Sequence, residues 1–213
     1  GEPGNYYVRL DDSTNQTFPR PVDAYTNTFA GAVIGPEWSP SRATGSPAGI
    51  AFAGEFGNET VTLMLDDLPD HEQLEISFDL YIIGGWQGDI GPNPIDRFRA
   101  DIVGGATLID ETFANPSEFT QGQTYGRAPG TTALVPPGSG PASITRPLGF
   151  TGRPYNGNTA YSFSGSNAFT LSHFGSSITL RFMGLNLEAG KTWGIDTVRI
   201  VTSRSGQPVS IPL

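Results

Sequence analysis

The clearest pattern in the chain lies at 73–83, where Leu74, Ile76, Phe78, Leu80 and Ile82 alternate with Glu75, Ser77, Asp79 and Tyr81. A period of two puts the first set on one face of a β-strand and the second set on the other. Ile178, Leu180 and Phe182 repeat the pattern against Thr179 and Arg181. The last regular segment, 191–201, places Asp196 inside an otherwise apolar strand. Val198 and Ile200 alternate cleanly, but Ile195 reaches their face only if the strand is irregular, so a bulge is expected near Asp196. Further strands are predicted at 48–53, 60–65, 97–103, 107–113, 160–163 and 168–172, with Gly, Pro, Asn and Asp clusters between them. No stretch carries a long 3.6-residue apolar period. Closely spaced strands without strand–helix alternation indicate an all-β, antiparallel two-sheet sandwich.

Two regions fall outside this rhythm. Residues 1–27 read as an extended N-terminal arm, with Tyr6, Tyr7, Val8 and Leu10 in one short strand, ahead of a domain at 28–213. Residues 115–157 form a long loop rich in Gly, Pro, Ser and Thr. Its aromatic and arginine residues, among them Phe119, Tyr125, Arg127, Arg146, Phe150, Arg153 and Tyr155, either line a groove or pin the loop to the sheet. Pinning is the favoured reading, because an irregular loop must bury something to stay ordered.

Composition narrows the setting. At 213 residues the chain is long enough to bury about 70% of its unfolded surface in one core without a staple. The net charge of −9 disfavours nucleic acid and acidic membrane surfaces, whose affinity depends on Lys and Arg. Among the 12 basic residues Lys191 is the one lysine, so arginine paired with Asp or Glu on a sheet surface is expected. The absence of cysteine excludes disulfides and thiolate metal sites. Low charge with abundant Gly, Pro, Ser, Thr and Asn suits an extracellular domain. Asn15 and Asn58 stand in glycan-acceptor tripeptides. The start at Gly1 and the lack of an apolar run of about 18 residues lead us to expect a processed, secreted chain with no membrane span.

The runs 52–63 and 68–83, then Trp86 with Gly88 and Asp89, then 96–101, 105–110 and 193–200, resemble secreted bacterial jelly-roll domains of the concanavalin-like and carbohydrate-binding-module type. The resemblance spans 28–202 and rests chiefly on scaffold positions. It implies a jelly-roll sandwich on a cell surface. It also implies a structural calcium site in which Asp196 matches the closing-strand aspartate. The early acidic partner is missing, since Ala30 follows Phe29, and backbone carbonyls with Glu37 or Glu55 would have to complete the shell.

Candidate chemistry is sparse. Asp79 with Glu75, and Asp101 with Arg99, share outward strand faces as a solvated sheet would display them, so no enzyme is expected. His71 and His173 have no His or Cys at metal-ligand spacing and read as surface residues. Trp86 and Asp89, with Tyr125 and Tyr155, are candidates for glycan contact through stacking and hydroxyl hydrogen bonds, and a buried, anchoring Trp86 is the competing reading. Two functions remain open. One is a non-catalytic structural or adhesive surface domain that assembles with other copies of itself into a filament through Tyr6, Tyr7, Val8 and Leu10. The other is a carbohydrate-binding module.

Overall fold

The computed structural model describes residues 21–89, 95–116, 122–151 and 157–204. The strands are β1 (Val22–Asn27), β2 (Trp38–Ser39), β3 (Ala43–Gly45), β4 (Ala51–Phe56), β5 (Thr60–Leu65), β6 (Gln73–Ile83) and β7 (Arg97–Ile102), followed by β8 (Thr107–Thr112), β9 (Ser143–Ile144), β10 (Asn158–Phe163), β11 (Phe169–Ser172), β12 (Ile178–Leu185) and β13 (Thr192–Ser203). Two short 3-10 turns are the only helical pieces among the described residues.

The strands form two antiparallel sheets packed as a sandwich. The larger, eight-stranded sheet runs β3-β4-β13-β6-β10-β9, with β1 also on β13 and β11 also on β6. The smaller runs β2-β5-β12-β7-β8. The chain crosses between the sheets at β1–β2, β2–β3, β4–β5, β5–β6, β6–β7, β8–β9, β11–β12 and β12–β13. The two longest strands, β6 and β13, pair along their length and divide their outer edges between short neighbours. On β6, β10 takes 78–83 and β11 takes 73–76. On β13, β4 takes Trp193 and Ile195 while β1 takes 198–202.

The alternation decides which side chains are inside. Leu74, Ile76, Phe78, Leu80 and Ile82 meet Ile178, Leu180 and Phe182 in the core between the sheets. The expected irregularity near Asp196 is present. The β13–β6 register shifts between Asp196 and Arg199, and Thr197 takes a positive φ of 49°. Ile195, Val198 and Ile200 all reach the core as a result.

Four strands had no clear signal. β2, β3 and β9 are only two or three residues long. β1 lies within the segment assigned to the arm, yet it pairs antiparallel with β13 from Val22↔Thr202 to Asn27↔Val198. Residues 22–27 are therefore part of the sandwich, and the expected arm strand, with Tyr6, Tyr7, Val8 and Leu10, lies outside the described residues.

A third layer covers part of the large sheet's outer face. Leu148 joins Phe52, Tyr81, Ile83 and Ala160 in a second apolar cluster, with Ile50, Ile144 and Phe150 against it. Tyr81 sits on the outward face as its position in the alternation requires, but the long loop folds over it. The loop is held there by main-chain contact as well, Ala48 N–H donating to the Leu148 carbonyl at 3.0 Å.

Candidate functional site

The most concentrated polar cluster on the covered face grows directly from strand geometry. The β6 alternation points Asp79 and Tyr81 outward, and Asp196, ahead of the bulge, is the register partner of Asp79 on β13. Two neighbouring carboxylates, each 4% exposed, would repel one another in a poorly solvated setting. Arg146, brought by the long loop, places Nη1 3.2 Å from Asp79 Oδ2 and 3.3 Å from Asp196 Oδ2, and donates to the Tyr81 hydroxyl at 2.7 Å. The Tyr81 hydroxyl in turn donates a hydrogen bond to Asp196 Oδ2 at 2.7 Å, and the Thr197 amide donates to Oδ1 at 2.7 Å. Burial still raises the Asp196 carboxyl above the ordinary carboxylate value, with the Asp79 charge acting in the same direction against Tyr81, the Thr197 amide and Arg146. Burial, then the hydrogen bond to Asp196, raises the Tyr81 phenol as well. Arg146 is thus a pin between loop and sheet.

This donor set does not fit the calcium implied for Asp196. The space between its two carboxylates holds a guanidinium. Glu37 accepts from Tyr25 Oη at 2.7 Å and Glu55 from Thr192 Oγ1 at 2.6 Å, so both are turned elsewhere. Among the described residues no group of three or more His, Asp or Glu is placed to hold a metal ion.

Beside Arg146 lies an open cavity of about 310 Å³, lined by Ile144, Thr145, Arg146, Pro147, Asn158, Thr159 and Ala160. Asn158 Oδ1 is buried in this wall without a hydrogen-bond partner among the described residues. An acceptor and a guanidinium can orient a small polar group here.

Two of the residues expected to contact a glycan, Trp86 and Tyr125, pack inward. Trp86 is fully buried, and its indole N–H donates to the Thr192 carbonyl at 3.0 Å. The turn before it explains why: Gly84 has φ 86°, and a Cβ there would lie 2.1 Å from the Gly190 carbonyl oxygen, so this loop closes tightly on the entry to β13. Tyr125 stacks on Phe113 at 4.9 Å and accepts from the Ala142 amide at 3.1 Å, half-buried against the core. Trp86 and Tyr125 therefore anchor the core, which corrects their expected stacking role. Asp89 is half-buried, with its amide bonded to the Gly122 carbonyl. Tyr155 lies outside the described residues.

Two arrangements escaped the sequence because their members are far apart along the chain. His71 and His173 are in direct contact, Nε2 to Nδ1 at 2.7 Å with rings stacked 5.0 Å apart. His71 is buried, which corrects its reading as a surface residue. The second is an ion pair at one end of the sandwich. Lys191 Nζ lies 2.8 and 3.1 Å from the two oxygens of Asp96, with Lys191 5% and Asp96 2% exposed. The Gln87 amide donates to Asp96 Oδ2 at 2.7 Å, and Glu188 Oε2 lies 3.1 Å from Nζ. Burial raises the Asp96 carboxyl despite the Lys191 and Gln87 donors. Elsewhere arginine carries the pairing, as its abundance suggested: Arg181 and Arg99 hold Asp101 on the small sheet's outer face. The sole-lysine signal was in the sequence, but its partner was not.

No family model, curated protein or solved structure matches the chain.

Proposed function

We propose that this chain is a non-catalytic structural or adhesive domain of an extracellular bacterial surface, joined to other copies of itself through its N-terminal strand. One observation carries the reading. β1 lies along β13 at the margin of the large sheet, and the sequence ahead of it, outside the described residues, contains Tyr6, Tyr7, Val8 and Leu10, a strand pattern in the sequence. An acceptor is at hand in β8, the terminal strand of the small sheet, which pairs with β7 alone among the named strands. Its far edge from Thr107 to Asp110 can receive a neighbour's strand through main-chain hydrogen bonds. Repetition head to tail gives a filament. The buried Trp86 and the clamped Asp79 and Asp196 support a scaffold role for the groups that would otherwise suggest binding or catalysis. Deleting residues 1–20 is expected to convert large particles to monomers by light scattering; an unchanged particle size would sink the reading.

The second reading, a carbohydrate-binding module, is favoured by one feature, the cavity at Arg146 and Asn158. A glycan array in which the chain and its Asn158→Ala variant give the same flat response would remove it.

A further inference from the structure

We propose that Lys191 and Asp96 are joined by an intramolecular isopeptide bond, Nζ to Cγ, made by the folded chain itself.

The choice of residue is the first argument. Arginine is the better partner for a buried carboxylate, because its planar fork holds two oxygens and it is less strongly hydrated than an ammonium. Apart from the contacts of Lys191, the side-chain ion pairs among the described residues use arginine, and those arginines are 34% to 46% exposed. The one lysine is placed where the pair is most deeply buried, at 5% and 2% exposure. What lysine offers and arginine lacks is an amine that becomes a nucleophile once it loses a proton.

The surroundings supply the remaining requirements. The step begins within the contact pair, where one proton passes from Nζ to Asp96 Oδ1, 3.1 Å away, and leaves an amine beside a carboxylic acid. The amine lone pair then attacks Cγ, and the carbonyl electrons move onto Oδ2, where the Gln87 amide already donates at 2.7 Å. Glu188, in contact with Nζ at 3.1 Å, takes the second amine proton and passes it to the departing Oδ1. The Nζ–Cγ bond forms, the Cγ–Oδ1 bond breaks, and one water leaves. Nothing is oxidised or reduced and no co-reactant is needed. Glu188 is 70% exposed, so the proton carrier and the exit for water lie on the same side.

The bond would tie the start of β13 in the large sheet to the start of β7 in the small sheet, bridging residues 95 positions apart. It would close the end of the sandwich covalently in a chain that has no cysteine. It does not depend on the assembly reading, since a monomeric chain can carry it equally well.

The deciding experiment is intact mass spectrometry of the purified, denatured full chain, followed by proteolysis and fragment sequencing. The expected mass is lower than the sequence mass by one water, with a branched peptide joining the segments that contain Asp96 and Lys191. A mass equal to that of the sequence overturns the proposal. So does a water loss that fragments place anywhere other than between these two side chains. Glu188→Gln, at an exposed position where folding is checked by circular dichroism, is expected at its full sequence mass. Complete cross-linking in that variant would overturn the proton route through Glu188.

Discussion

Two buried charge clusters flank β13, and they solve the same problem differently. Ahead of the bulge, Asp79 and Asp196 share the arginine of a covering loop, and that guanidinium stays about one-third exposed. At the strand's start, Lys191 and Asp96 are buried together, with the half-buried Gln87 and the exposed Glu188 as their further partners among the described residues. The first arrangement fastens an irregular segment to a sheet and can exchange with solvent. The second fastens sheet to sheet and has almost no access to water. Burial of both members, more than the presence of opposite charges, separates the two arrangements.

The largest effect is expected at the sealed pair. Asp96→Ala strands an ammonium in the interior, and that alone is expected to cost about 3–5 kcal/mol in denaturant unfolding. A loss no greater than that of a surface substitution would show that Lys191 reaches water and would erase the contrast. Arg146→Ala leaves two carboxylates facing each other beneath the loop. Because the guanidinium is partly solvated the expected cost is smaller, about 1–3 kcal/mol, and limited proteolysis of the 115–157 loop should quicken.

Acid titration sharpens the comparison through two aspartates of opposite sign. Asp196 is raised, chiefly by burial, above the ordinary 3.8, so the folded state binds the extra proton. Its contribution to stability is present at low pH and is lost as pH rises from the ordinary value through the folded one. Asp101 is lowered, chiefly by the Arg181 hydrogen bond. Its contribution is present above the ordinary value and is lost as pH falls through the folded one. Asp196→Asn and Asp101→Asn should therefore change the slope of stability against pH, measured between about pH 2 and pH 6, in opposite directions. Equal slope changes would mean that Arg146 controls Asp196 as Arg181 controls Asp101. The smallest expected effect is none: a calcium chelator should leave the thermal midpoint unchanged, because a guanidinium already bridges Asp79 and Asp196. A clear fall in the midpoint would restore the calcium site.

Much of the sandwich was legible from local pattern. The 73–83 strand appears with the expected bounds because period-two alternation and β-branched or aromatic side chains agree over eleven residues. The bulge near Asp196 was legible because Ile195 and Val198 could not otherwise share a face. β2, β3 and β9 were not, since two or three residues carry no period and depend on a neighbour's edge. β1 was misplaced because its partner is some 175 residues away and its own residues alternate weakly. The site residues were less legible still. Trp86 in a Gly-rich loop looks the same in sequence whether it faces solvent or, as here, donates to the Thr192 carbonyl.

Strand faces, the antiparallel all-β class, the reliance on arginine and the isolation of one lysine could all be read along the chain, because each is written in residues close together or in composition. It took the folding of the sheets to set Arg146 between Asp79 and Asp196, His71 against His173 and Lys191 against Asp96. Those contacts join residues 50 to more than 100 positions apart, where spacing along the chain carries no information and only the stacking of sheets and the path of the covering loop bring side chains together.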